Sequence, residues 1–140
     1  SIAAAVATAV AWNARGDILT RRAFVERILP HVPESNVKRK LEQARDLRAD
    51  ASLAAAVAML GNGSLISAED TVGFCVWAAG ETLTDYASAM RTMVRAGGDV
   101  DTNCAIVGGI VAAHTGADAI PAAWLQSREM LPGWTFEELQ

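Results

Sequence analysis

Alanine constrains this chain more than any other feature: 28 of its 140 residues are alanine, gathered in runs that glycine and proline interrupt. Alanine loses no side-chain entropy in a helix, and its single methyl lets helices approach closely, so the composition points to helices. Aromatic residues make up only 6% of the chain, which leaves an all-β fold short of its usual packing residues. With 51% hydrophobic and 20% charged residues, residues 1–140 read as one packed domain.

Charge narrows the function. The net charge is −4, and the longest basic run is Lys38-Arg39-Lys40. Holding nucleic acid by phosphate neutralisation calls for a basic surplus or stripe, which this chain lacks. The longest apolar stretch, Ile2 to Trp12, falls short of the roughly 20 residues that span a bilayer and has no basic flank of a signal peptide. Cys75 and Cys104 sit in apolar helical text without C-x-x-C spacing, which reads as two reduced core thiols in a cytoplasmic protein.

Periodicity and punctuation set the helices. Ile2 to Arg15 carries Ile2, Val6, Ala9 and Val10 at helical spacing, with Gly16 placed as its C-terminal cap. Thr20 caps Arg21 to Leu29, whose stripe is Phe24, Val25, Ile28 and Leu29 before Pro30. Ser35 to Asp50 sets Val37, Leu41, Ala44 and Leu47 or Arg48 against a face of interleaved charges, best read as solvated. Ser52 to Leu60 stops at Gly61-Asn62-Gly63. Ser67 opens a helix to Gly80 that is apolar nearly all round and so belongs at the centre, with Ser67 and Asp70 in the spacing of a capping box. Thr84 caps Asp85 to Ala96, Asp101 to Thr115 follows Gly97-Gly98, and Gly116 closes it. Pro121 opens Ala122 to Gln126, and Phe136 to Leu139 adds a last turn.

The densest chemical signal is Gly97-Gly98-Asp99-Val100-Asp101-Thr102. Two glycines permit a sharp turn, after which two carboxylates and a hydroxyl emerge where a helix begins. Hard oxygens of this kind suit Mg²⁺, which takes one or two carboxylates and keeps several waters. An acidic residue before a helix is also the commonest kind of N-cap, so spacing alone leaves capping and metal binding both open.

Three segments carry a resemblance. Gly97 to Thr102 with the following Asn103 to Ala112 is similar to the G-G-D-x-D-T motif and helix of the ADP-ribosylglycohydrolase family. Gly61-Asn62-Gly63 followed by Ser67 to Val72 resembles that family's Gly-Asn-Gly loop and its helix, and Ile120-Pro121 with Trp124 resembles the segment after the motif helix. The likeness covers the last two-thirds of the chain well; the first third matches only as alanine-rich helices.

The resemblance implies an all-α fold, a compact multi-helix bundle, and hydrolysis of an ADP-ribosyl bond assisted by two Mg²⁺ ions. Asp99, Asp101 and Thr102 would be metal ligands, while Gly61, Asn62 and Gly63, with Ser67, Asp70 and Thr71, would lie against the substrate. The substrate would be an ADP-ribosylated protein or a small-molecule ADP-ribose conjugate. Two departures stand out. The family commonly has proline where Gly73 stands. Its N-terminal half, with a Thr-Asp-Asp metal motif, glycine-rich loops and an acidic residue, finds no match in residues 1–140, so the likeness implies a C-terminal half. The remaining ligands and the general base would come from a missing N-terminal half or a complementary chain, and the 140 residues alone would be inactive.

A second class of reading keeps the fold and drops the chemistry: a non-catalytic ADP-ribose-binding or crystallin-like structural relative, with the aspartates as caps. The other candidates read as structural. His114 is a packed or capping residue on the motif helix, His31 lies in a surface turn, and Trp12, Trp77, Trp124 and Trp134 are spread over separate segments as packing residues.

Overall fold

Six consecutive helices begin at a polar side chain that accepts a hydrogen bond from the backbone three residues on. In the computed structural model, which describes residues 2–14 and 20–130, these caps are Thr20, Ser35, Ser52, Ser67, Asp85 and Asp99. They open α2 (Arg21–Ile28), α3 (Asn36–Asp46), α4 (Leu53–Leu60), α5 (Ala68–Thr82), α6 (Tyr86–Ala96) and α7 (Val100–Thr115). Before them comes α1 (Ile2–Asn13), and after them α8 (Ala122–Gln126); short 3₁₀ turns at Leu29–His31 and Ala117–Ala119 complete the order. Among the described residues there is no strand, so the all-α expectation holds. Gly16, Trp134 and the turn expected at Phe136 to Leu139 lie outside the described residues.

α5 is the axle. From Thr71 to Ala79 nine successive residues are buried, as an apolar pattern without a polar face requires. α1, α2, α3, α4, α6 and α7 all pack against it. Phe74 stacks on Trp77 at 5.8 Å between ring centres, and Phe24 of α2 meets Trp12 of α1 at 5.6 Å. Each fully buried Val or Phe here contributes about 1.5–3 kcal/mol relative to exposure.

Close approach to α5 depends on small residues. A Cβ at Gly73 would lie 2.8 Å from Lys40 Cβ of α3, and one at Gly80 would lie 3.1 Å from Arg21 Cα of α2. Gly73 therefore marks the α3 crossing, and the helix runs through it without a break. Arg21 fills the space beside Gly80: its guanidinium pairs with Glu81 at 2.8 Å and donates to the Leu47 carbonyl at the end of α3, joining three elements.

Several boundaries differ from the sequence expectation. The cap of α6 is Asp85, whose carboxylate accepts from the Ser88 N–H at 2.9 Å and the Ser88 hydroxyl at 2.7 Å. This places the helix start one residue later than a Thr84 cap would. In α1 the buried stripe is Ala5, Ala9 and Trp12, while Val10 is half exposed, because the alanines let α1 lie close on α7. α3 ends at Asp46, and Arg48 turns outward to pair with Asp50. Ser67 does cap α5, but Asp70 does not complete a reciprocal box; its shorter side chain turns to the Leu65 N–H instead. Cys75 is a core thiol, whereas Cys104 is only half-buried; neither is in a disulfide. His114 packs as expected, with Nδ1 3.0 Å from the Ala9 carbonyl of α1.

Two glycine substitutions should separate packing from propensity. Gly73→Ala is expected to lower unfolding stability by about 1–3 kcal/mol through overpacking against Lys40. Gly109→Ala, whose Cβ would meet nothing within 4 Å on α7, should raise it by about 0.5–1 kcal/mol. Urea unfolding of the two variants checks both signs.

Candidate functional site

Two glycine-containing loops meet at one end of the bundle, and the Asn62 carbonyl joins them. The first loop leaves α4 at Gly61 and enters α5 at Ser67; the second leaves α6 at Gly97 and enters α7 at Asp99. The Asn62 carbonyl accepts from the Asp99 N–H at 3.1 Å and from the Asn103 side-chain amide at 2.8 Å. In return the Asn62 side-chain amide donates to the Ala96 carbonyl at 3.1 Å, holding the end of α6. Residues that lie far apart in sequence are thus brought within hydrogen-bond contact of one another.

Glycine is required because the loops close on each other. At Gly98, with φ +72°, a Cβ would lie 2.2 Å from the Asn62 carbonyl oxygen, and at Gly63, with φ +85°, it would lie 2.8 Å from Asp99 Cβ. The space a side chain would need is therefore filled by the protein's own atoms. Gly97 differs: its φ is +66°, yet nothing lies within 4 Å of a Cβ there.

Asp70 holds the first loop shut. Its carbonyl accepts from the Gly63 N–H at 3.0 Å and its carboxylate from the Leu65 N–H at 2.9 Å, while Asn62 Oδ1 accepts from the Ser64 N–H and hydroxyl. Ile66 donates its N–H to the Gly63 carbonyl and takes φ +52°, a value that a β-branched residue rarely adopts. Of the residues expected to lie against a substrate, Gly61 and Asn62 are half-buried, Gly63 is buried, Ser67 and Asp70 form the loop's closure, and Thr71 is in the buried run of α5.

The acidic segment opens α7. Asp99 is its N-cap, with Oδ1 accepting from the Thr102 N–H at 3.3 Å, so the capping role expected from the spacing is present. Asp99 Oδ2 makes no hydrogen bond to a described residue, and the exposed side chains of Asp101 and Thr102 make none either. The available donors are hard oxygens at one helix end, two of them carboxylates, which fits what Mg²⁺ takes from protein. Among the described residues no three of His, Cys, Asp and Glu gather into a metal cluster. The donor set is that of a partial site.

Beneath the loops lies a group that composition did not single out. Asn103, fully buried on α7, accepts from the Cys75 thiol of α5 at 3.3 Å. Burial pushes the Cys75 thiol up to about 12, with the neighbouring Cys104 and Asp99 adding to the rise; burial and the nearby Asp101 raise Cys104 as well. Both thiols are protonated at neutral pH, which removes the thiolate a nucleophile needs. The signal that could have found Asn103 is a lone amide one turn into a helix whose inward positions are otherwise apolar.

Comparison with known proteins adds one finding. The family model for ADP-ribosylglycohydrolase matches residues 1–140, which includes the first 60 residues, where the motifs are absent. No curated protein matches the chain.

Two predictions test this geometry. Gly98→Ala should cost about 2 kcal/mol or more of stability, since the Cβ collides with Asn62. Gly97→Ala should cost only the penalty of holding alanine at φ +66° and ψ −153°, about 1–3 kcal/mol; Gly98→Ala adds the collision to a positive-φ penalty of its own, so denaturation should rank it as the worse of the two. A thiol-reactive probe at pH 8 should modify Cys104 well before Cys75; equal rates would contradict the burial of Cys75.

The family match over residues 1–140 and the all-helical fold of the described residues agree, and the chain belongs to the ADP-ribosylglycohydrolase family, of glycohydrolase-type hydrolases.

Proposed function

We propose that this chain supplies one part of an Mg²⁺-dependent site that hydrolyses the glycosidic bond of an ADP-ribosylated protein or small molecule. The observation that carries the reading is the free oxygen set of Asp99, Asp101 and Thr102 at the start of α7, beside the Gly61–Gly63 loop. Bound Mg²⁺ ions, two in the complete site, would supply charge for the ribose hydroxyls and an oriented water near the anomeric carbon. Asp101 and Thr102 would hold a cation from the solvent side. Asp99 would do so with Oδ2 while Oδ1 keeps the helix capped.

The glycine loop has a different task. The N–H groups of Gly61, Gly63, Ser64, Leu65 and Ile66 are taken by the protein's own oxygens, whereas those of Asn62 and Ser67 have no acceptor among the described residues. Contact with an ADP-ribose moiety would therefore be mainly by close packing along the loop, with Asn62 and Ser67 as its backbone donors not already taken. Three oxygen-bearing residues are too few for a closed two-metal site, so further ligands and the general base would come from an N-terminal half or a complementary chain. Two protonated, unpaired thiols accord with a cytoplasmic setting. Among the described residues no helix is long and apolar enough to cross a membrane.

The capping role of Asp99 and the absence of a three-acid cluster among the described residues favour one second reading, a non-catalytic ADP-ribose-binding or crystallin-like structural relative. In the protein with its complementary part, Asp101→Ala should abolish Mg²⁺-stimulated release of ADP-ribose. The loss should exceed the roughly 10–100-fold that removal of an outer-sphere partner costs. Unchanged turnover would remove the metal role. Calorimetric binding of ADP-ribose that is indifferent to Mg²⁺, with no hydrolysis, would favour the second reading.

A further inference from the structure

α7 buries one polar side chain. Its other inward residues are Val107, Gly108, Ile110 and Val111, whereas Asn103 is fully buried among them. A buried carboxamide is costly unless each end is hydrogen-bonded, and both ends of Asn103 are. Oδ1 accepts from the Cys75 thiol at 3.3 Å, and Nδ2 donates to the Asn62 carbonyl at 2.8 Å. That carbonyl also receives the Asp99 N–H at 3.1 Å, and the Asp99 carbonyl receives the Asn103 N–H at 3.0 Å. The bonds close a ring: Asp99 to Asn62, Asn62 to Asn103, and Asn103 back to Asp99.

We infer that Asn103 is a positioning residue that sets the place of the Asp99 carboxylate by clamping the carbonyl from which the Asp99 backbone hangs. Space-filling does not account for the choice of residue, since leucine has a similar shape and would suit the apolar surroundings. It would leave the Asn62 carbonyl with one donor fewer and the Cys75 thiol with no acceptor. The contacts around Asn103 converge on the loops: its Oδ1 would lie 3.5 Å from a Cβ at Gly63, and Asp99 Cβ would lie 2.8 Å from the same point. The ring therefore fixes three things together: the glycine loop, the turn at Gly98 and the start of α7. The position of Asp99 follows from this geometry alone. Its consequence for cation affinity rests on the metal reading above, where Asn103 would tune a site that it does not touch.

The test is amide hydrogen exchange by NMR on the full chain, comparing the unaltered protein with Asn103→Leu and Cys75→Ala. In Asn103→Leu the Asp99 amide should exchange about tenfold faster or more, while the amides of Val76 and Val111 change by less than about twofold. In Cys75→Ala, which keeps the bond to Asn62, the Asp99 amide should stay within about twofold of the unaltered protein. Unchanged protection at Asp99 in Asn103→Leu, or loss in step with Val76 and Val111, would overturn the inference. Should Asn103→Leu fail to fold, the unaltered protein decides: its Asn103 side-chain amide protons should exchange at least about tenfold more slowly than those of exposed Asn36, and equal rates overturn the inference. Calorimetric titration with Mg²⁺ separates the two claims, with binding expected to be about tenfold weaker in Asn103→Leu. An unaltered protein that takes up no cation even with its complementary part present counts against the metal reading, while the exchange rates still decide the role of Asn103.

Discussion

A helix buried on every side imposes the order of everything around it. α5 has no polar face from Thr71 to Ala79, so it must be enclosed, and six helices do so. Enclosure at close range requires small residues at the crossings, which is why glycine stands at positions 73 and 80 and why α1 turns alanines inward. The Lys40 and Arg21 backbones approach α5 where a methyl would already be too large. Larger side chains fill the remaining gaps in pairs such as Phe74 with Trp77.

The site follows from where α5 begins. Ser67 caps it, Asp70 closes the loop before it, and Cys75, one to two turns in, reaches the amide of Asn103 on α7. The loop after α4 and the turn before α7 are then held in one register by a single carbonyl, that of Asn62. This arrangement leaves the Asp101 and Thr102 side chains exposed without disturbing the packing beneath them. Rigidity below and free oxygens above are what a site that positions an ion or a sugar phosphate needs, since its ligands must be held by groups that are themselves held.

Much of this was legible in the residues. The apolar run around Phe74 foretold the central helix, Thr20 and Ser67 foretold caps, and the Gly-Asn-Gly and Gly-Gly-Asp-Val-Asp-Thr strings foretold the two loops and their family; Ser35 and Ser52, read as the first residues of their segments, prove to be caps as well. The misreadings share a cause. Thr84 and Asp85 are both good caps, and only the placement of Ser88 selects the second. In α1 Val10 outranks Ala9 in hydrophobicity, yet helix separation makes alanine the residue that faces α7. The glycines of the site suggest room for a ligand, whereas at positions 63 and 98 that room is taken by Asp99 and Asn62. Asn103 escaped notice because its partners lie 28 and 41 residues away, and no local pattern encodes such bonds.

The start of α7, held by the Asn62 carbonyl, is the place proposed for a divalent cation. Paramagnetic broadening of backbone amide signals by substoichiometric Mn²⁺ tests it most directly. With a cation at that place, signals from Asp99 to Asn103 should fade first, those of Gly61 to Gly63 should follow, and those near His114 at the far end of α7 should persist. Broadening centred on other carboxylates, such as Asp46 and Asp50, with the start of α7 unaffected, would contradict it.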